Sequence, residues 1–453
     1  MENQKKKSGS SLAKKMGISL VCGIAAGLLL MFLRESLNGS GHEAAWNMIN
    51  SLLFQDVTAQ GAEHALGIFY LIGQLFIRSL QLVIVPMVFT SITLAIGQIS
   101  DTRTLGRISA KTIGWFLICS FFALALACIA GSAVYHAGLF TAQVEGLTGN
   151  AGSTGANPMN VILNVVPANV ITAFGSNTAV LAVVFVAVCL GLCMNALGEE
   201  KTKLLRTLVQ EVNDVVVVFL NYVVTTFAPF AVFVLLARTF ATYGINYLKP
   251  AFAYVTAAVA MLMVFLLIGY PLVVALGAKL NPVIFLKKIG NVAVFGFSTS
   301  SSAATLPLNY QTCTDGFGVD DTIASFVLPL GMTINMNGTA IMQVIATVFI
   351  AGCAGYEISL TQLVVVAVLA LIASAGTPAA PGAGAIVLFT ILSGVGFINE
   401  GALLAYSLIL AINRPIEMLV TALNVVGDAV TSICVAKSEG LLDEEKYNRM
   451  SGA

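Results

Sequence analysis

Ser298-Thr299-Ser300-Ser301-Ser302-Ala303-Ala304-Thr305-Leu306-Pro307 interrupts an apolar segment that runs near 284–310. Ala375-Gly376-Thr377-Pro378-Ala379-Ala380-Pro381-Gly382-Ala383-Gly384 does the same to a second segment, near 360–396. A continuous helix would not tolerate so much Ser, Gly and Pro at its middle. Each segment is therefore expected to enter a bilayer as a helix, turn and leave. Irregular backbone at that depth survives only where it is buried in protein or lines a cavity. The two stretches predict a pair of re-entrant helical hairpins around a site.

The rest of the chain supplies the membrane setting. Of its 453 residues, 58% are hydrophobic and only 10% charged, against about 25% charged in a soluble domain, and the mean hydropathy is +0.91. Further apolar runs predict spans near 13–34, 66–98, 108–138, 160–197, 205–241, 247–278, 322–352 and 400–436. Runs of this length mean helices rather than a barrel. The expected fold is an all-α polytopic membrane protein with eight transmembrane helices plus two re-entrant hairpins. A formal net charge of zero gives no footprint for nucleic acid, and no G-x-x-x-x-G-K loop provides an ATP motor. The eight cysteines lie mostly in apolar runs, and His42, His64 and His136 are scattered; neither set suggests a metal centre or a disulfide frame. Lys5, Lys6, Lys7, Lys14 and Lys15 precede the first run, which is long enough to span and is followed by no A-x-A site; an uncleaved first helix is expected.

Basic residues orient the chain. Arg103, Arg107 and Lys111 follow the second span, Lys201, Lys203 and Arg206 the fourth, Lys279, Lys287 and Lys288 the sixth, and Lys437, Lys446 and Arg449 the last. Loops 35–65, 139–159 and 311–321 contain no lysine or arginine. The positive-inside rule then places both termini in the cytoplasm, in a plasma (cell inner) membrane. A weak internal repeat accompanies this: Thr333-Ile334-Asn335-Met336-Asn337-Gly338-Thr339 follows the first hairpin, and Thr421-Ala422-Leu423-Asn424-Val425-Val426-Gly427-Asp428 the second. Paired interrupted segments in corresponding positions of inverted repeats point to a transporter's binding site.

Two carboxylates, Glu417 and Asp428, sit inside the last apolar run. Each costs roughly 2.5–3.5 kcal/mol at mid-bilayer, so each is expected to serve a function with a partner. At about 100° per residue, Arg414, Glu417, Thr421, Asn424 and Asp428 fall within roughly 80° of one helix face. The stripe reads as the wall of a solute and ion site; a purely helix-gluing stripe is the alternative.

Ser300–Pro307, Leu328–Thr339, Pro381–Ala385 and Asn424–Asp428, with Val85-Pro86-Met87-Val88-Phe89 in the second span, resemble the signatures of the dicarboxylate/amino acid:cation symporter family, which includes the glutamate transporters. The resemblance covers essentially the whole chain. It implies an elevator-type homotrimer: scaffold 1–105 and 141–245, transport domain 106–140 and 246–436, and a cytoplasmic tail 437–453. It implies a sodium site at Asp428 with Asn335, Asn424 and the Gly331 carbonyl. A second sodium site would use Thr333, Met336, Ser374, Ala375 and Thr377. Substrate contacts would be Ser301, Ser302, Thr339, Ala379, Glu417, Val420, Thr421 and Asn424. Sodium ions would be co-transported, with no organic cofactor; the partners would be a small amino acid and the lipid bilayer.

The departures from the family pattern shape the functional expectation. Glu417 stands where glutamate-type members have an aspartate for the substrate amino group. Val420 and Ser300 stand at the two positions where members carry an arginine for a side-chain carboxylate. A further sodium site uses an Asp with Tyr, Thr and Ser; the matching residues here are Asn337, Phe116, Cys119 and Ser120, a set a hard cation would disfavour. The leading expectation is sodium-coupled uptake of a small neutral amino acid such as serine, threonine or alanine. The rival is an acidic amino acid or C4 dicarboxylate met by Arg414, whose bland role is an ion pair with Glu417. A channel or substrate-sensing receptor is the alternative of another class. No enzyme constellation is present in the sequence.

Overall fold

A computed structural model describes residues 2–58, 62–97, 103–141, 163, 165–175, 179–244, 248–375, 377 and 382–449. The described residues are mostly helical: α1 (Glu2–Gly39), α2 (Glu43–Leu53), α3 (Ile68–Leu82), α4 (Ile84–Gly97), α5 (Arg103–His136), α6 (Val170–Phe174), α7 (Val180–Leu197), α8 (Glu199–Tyr222), α9 (Ala228–Tyr243), α10 (Leu248–Val264), α11 (Tyr270–Val273), α12 (Pro282–Thr299), α13 (Ser302–Gln311), α14 (Asp321–Ile334), α15 (Asn337–Ala354), α16 (Leu360–Ala375), α17 (Ala383–Val395), α18 (Glu400–Ile412), α19 (Arg414–Glu439) and α20 (Glu444–Asn448). Among the described residues no sheet forms; one antiparallel bridge pairs Val319 with Leu442. Seven helical runs among those residues are long and apolar enough to cross a bilayer.

Burial separates these runs. Within the apolar window, 94% of Asp321–Ala354 and 89% of Arg414–Glu439 is buried, against 17% for Gly17–Gly39. The two runs that carry the Asn/Gly motifs are therefore the core, and α5, α12 and α17 pack around them. Gly338 lets α15 approach α19, because a Cβ there would meet Val420 O at 2.8 Å.

The first predicted hairpin forms; of the second, the two arms α16 and α17 pack against each other, while 376 and 378–381 at its tip lie outside the described residues. α12 starts at Pro282, with Asn281 Oδ1 accepting from Val283 N at 2.9 Å. It ends at Ser300, which adopts the left-handed region (φ 49°). Ser301 is extended and caps α13, its Oγ accepting from Ala304 N at 3.3 Å. Two residues thus reverse the chain. The second hairpin joins α16 to α17, with Gly382 at φ 85° before α17.

Four expected spans are not continuous. The described part of the run near 160–197 is non-helical at 165–169 and again at Gly175, which leaves α6 and α7 as its helices. The run near 66–98 breaks at Val83, three residues before Pro86, and the run near 400–436 breaks at Asn413, two residues before Pro415. Proline lacks an N–H and its ring crowds the preceding turn, which accounts for these two breaks. The run near 322–352 breaks at Asn335–Met336, where ψ is 73° and 49°. Each hairpin is followed by a broken span, but the breaks do not correspond: the first falls within the Asn335–Gly338 motif, the second at Asn413, ahead of the Asn424–Gly427 motif, which is continuous helix.

Candidate functional site

The break between α14 and α15 exposes carbonyls on one side and N–H groups on the other, since helix ends leave both unpaired. Side chains of α19 fill this gap. Asn424 Oδ1 accepts from Gly338 N at 2.8 Å, and its Nδ2 lies 3.2 Å from both Thr339 Oγ1 and Met336 Sδ. Asp428 is buried, and its Oδ1 accepts from Asn335 Nδ2 at 3.0 Å. Gly331 lies directly against it: a Cβ there would collide with Asp428 Oδ1. The Gly331 carbonyl already accepts from Asn335 N at 2.8 Å, which leaves a second lone pair. Gly331, Asn335 and Asp428 are in mutual contact, and Asn424, one turn earlier on α19, is bonded to the first turn of α15 instead. A buried carboxylate with one neutral donor is strongly undercompensated, and oxygen donors of this kind suit a hard cation such as sodium.

A buried chain of hydrogen bonds continues from this cluster. Asn337 Nδ2 donates to Asn335 Oδ1 at 2.9 Å and to Tyr270 Oη at 3.1 Å, while Asn337 Oδ1 accepts from Ser120 Oγ at 2.6 Å. Phe116 lies beside Gly331. The third span thus brings Ser120 and Phe116 to this chain of hydrogen bonds. The amide of Asn337 directs donors inward where a cation would need acceptors.

Ser302, Thr339, Glu417, Val420, Thr421 and Asn424 line one narrow cavity between the first hairpin, α15, α17 and α19. Met336 and Thr377 share its wall. Ser301 does not line it; its Oγ is spent on the α13 cap. Ala379 lies outside the described residues. Thr333, Ser374 and Thr377 hydroxyls bond back to Leu330, Leu371 and Ala373 carbonyls at 2.9–3.0 Å. Ala375 ends α16.

Other residues take part, and of these Tyr270, Gln343 and the Ala385 N–H left little or no sequence signal. Ser300 Oγ, on the cavity wall, is buried without a hydrogen-bond partner. Tyr270 is a polar-tipped aromatic deep in an apolar run, and that was the available clue. Gln343 Nε2 donates to Gly384 O at 3.1 Å and ties α15 to the second hairpin. The Glu417 carboxylate faces the backbone N–H of Ala385, one of the orphan donors in the first turn of α17. Arg414 makes the expected ion pair with Glu417, but at 3.6 Å. Its Nε and Nη1 are buried with no hydrogen-bond partner.

Broken spans around a buried carboxylate, closed by two hairpins, define a secondary membrane transporter. A model of the Sodium:dicarboxylate symporter family matches residues 12–438, and the chain belongs to that family. It is similar to a proton/glutamate-aspartate symporter of Escherichia coli (strain K12), 29% identical over 83% of this chain and 86% of the relative. It is also similar to a proton/sodium-glutamate symport protein of Bacillus caldotenax, 28% identical over 83% and 89%. A C4-dicarboxylate transport protein of Bacillus subtilis (strain 168) is 27% identical over 83% and 88%.

Proposed function

We propose that this chain is a cation-coupled symporter of an acidic solute, an acidic amino acid or C4 dicarboxylate, with Arg414 taking the solute's extra carboxylate. The observation that carries this is the Arg414 guanidinium: buried at the head of α19, 3.6 Å from Glu417, with Nε and Nη1 unbonded. Such a group favours an anion strongly, because a buried charge lacking full hydrogen bonding is costly. The names of the relatives agree with this alternative and not with the neutral-solute expectation drawn from Val420 and Ser300. Sodium is the proposed coupling ion, held by Asp428, Asn335, Asn424 and the Gly331 carbonyl, with a second ion near Met336 and Thr377. Homotrimeric assembly and an elevator movement of 106–140 and 246–436 against 1–105 and 141–245 complete the proposal, on the family resemblance.

One observation favours the neutral solute: Val420 and Ser300, rather than Arg414, line the cavity. Competition for uptake into proteoliposomes under an imposed sodium gradient separates the two. Excess glutamate, aspartate or succinate is expected to block uptake of labelled aspartate, and Arg414→Ala is expected to abolish that preference. Uptake blocked by serine or alanine and indifferent to glutamate would establish the neutral solute instead.

A further inference from the structure

A second cavity, of about 200 Å3, lies apart from the Glu417 site. One wall combines Asp56 and Thr58, from the turn after α2, with Tyr70 and Gln74 of α3 and Arg238 of α9; the other is the face of α18 that carries Glu400 and Ser407. Two of these charges offset each other. Arg238 is buried, donates from Nε to Phe54 O at 2.8 Å and lies 4.9 Å from the Tyr70 ring centroid. Asp56 Oδ1 accepts from Thr58 N at 2.7 Å and Thr58 Oγ1 at 2.6 Å. Partial burial pushes the Asp56 carboxyl up, but hydrogen bonds from Thr58 and Tyr70, with the Arg238 charge, outweigh it and hold it below its ordinary value. Glu400, exposed in the first turn of α18, has no ion-pair partner among the described residues, and the half-buried Gln74 amide has no hydrogen-bond partner among them. The wall therefore offers an exposed carboxylate, an amide without a protein partner and a guanidinium that faces Asp56 with its Nε already bonded, in a space below the roughly 300–1,000 Å3 of drug-sized sites.

We infer that this cavity is a second binding site for a small amino-acid zwitterion, its ammonium against Glu400 and its carboxylate against Gln74 and Arg238. A lone anion would meet Glu400 unfavourably, and a lone cation would leave the amide and guanidinium unused. The regulatory consequence rests on the two-unit reading above: α3 and α9 belong to the scaffold ranges and α18 to the moving range. A ligand bridging them stabilises one relative position, so uptake falls at high solute concentration.

The test is equilibrium binding of labelled L-aspartate and L-serine to the purified full chain, with uptake followed over a wide concentration range. Wild type is expected to bind a second, weaker equivalent of at least one of them per chain and to show falling uptake at high concentration. Gln74→Leu and Glu400→Gln are expected to weaken that second event at least tenfold and remove the fall, while uptake at low concentration stays unchanged. Glu417→Gln disables the central site and is expected to keep the weaker event, which separates failure at this cavity from failure of the transport assignment. A single equivalent per chain for both amino acids, or a second event indifferent to both Gln74→Leu and Glu400→Gln, overturns the inference.

Discussion

Asp428 shows how a single side chain organises the site. Its carboxylate is buried with one neutral donor, Asn335 Nδ2, while Gly331 contributes only backbone on its other side. Asp428→Asn keeps the shape and removes the charge that compensates an ion. The expected loss is about 3 kcal/mol of ion binding, near a hundredfold in affinity, with membrane insertion retained. Sodium dependence of uptake and the amount of protein in the membrane fraction measure the two separately. Undiminished sodium affinity would remove Asp428 from the ion site. Asp428, Asn335 and Asn424 were legible in the sequence because polar side chains are conspicuous in an apolar run. The N–H of Ala385 was not, because every non-proline residue carries one. Its approach to Glu417 depends on where the second hairpin places the first turn of α17.

At the scale of elements, the first hairpin is fastened to the chain's end. Lys288 of α12 donates from Nζ to Gly316 O, Lys446 O and Tyr447 O at 2.7–3.0 Å. Tyr447 is fully buried, stacks on Phe317 with centroids 5.7 Å apart, and donates from its hydroxyl to Asn281 O at 2.9 Å. Asp320 N donates to Leu441 O, and Asp443 N to Gly318 O, on either side of the Val319–Leu442 bridge. Glu439, at the end of α19, is held by Arg107 and Lys111 of α5. Lys288→Met would leave three carbonyls without their donor. The expected destabilisation is about 2–3 kcal/mol, since hydrogen bonds to charged groups carry about 1.5–3 kcal/mol. Thermal unfolding of the detergent-solubilised protein should show a lower midpoint; an unchanged midpoint would mean the clasp contributes nothing. The hairpins themselves were readable, because Ser, Gly and Pro in mid-run admit few other structures. The clasp was not. A two-residue bridge and a lysine among carbonyls leave no periodic pattern, and stretch 437–453 reads only as a polar tail.

For the molecule as a whole, the ratio of ions to solute follows from how many buried sites can hold a cation. The Asp428 cluster and the Met336–Thr377 region present acceptors, and the place beside Asn337 does not. There the Asn337 amide donates to both Asn335 and Tyr270, Ser120 donates to its oxygen, and Phe116 and Cys119 supply an aromatic ring and a buried thiol. A sodium ion would have to displace these three hydrogen bonds and accept a neutral ligand where an anionic one would offset its desolvation. Two sodium ions per solute are therefore expected. Reversal potentials in vesicles, measured while the sodium and solute gradients are varied independently, give the ratio directly. Three or more ions per solute would show that the Asn337 amide rotates to present its oxygen and that the hydrogen-bond chain is no barrier. Asn337→Asp offers the converse check. It places a charge beside Tyr270 and Ser120 and is expected to raise the ratio if the chain of donors alone excludes the ion, and to leave it at two if Phe116 and Cys119 close the site sterically.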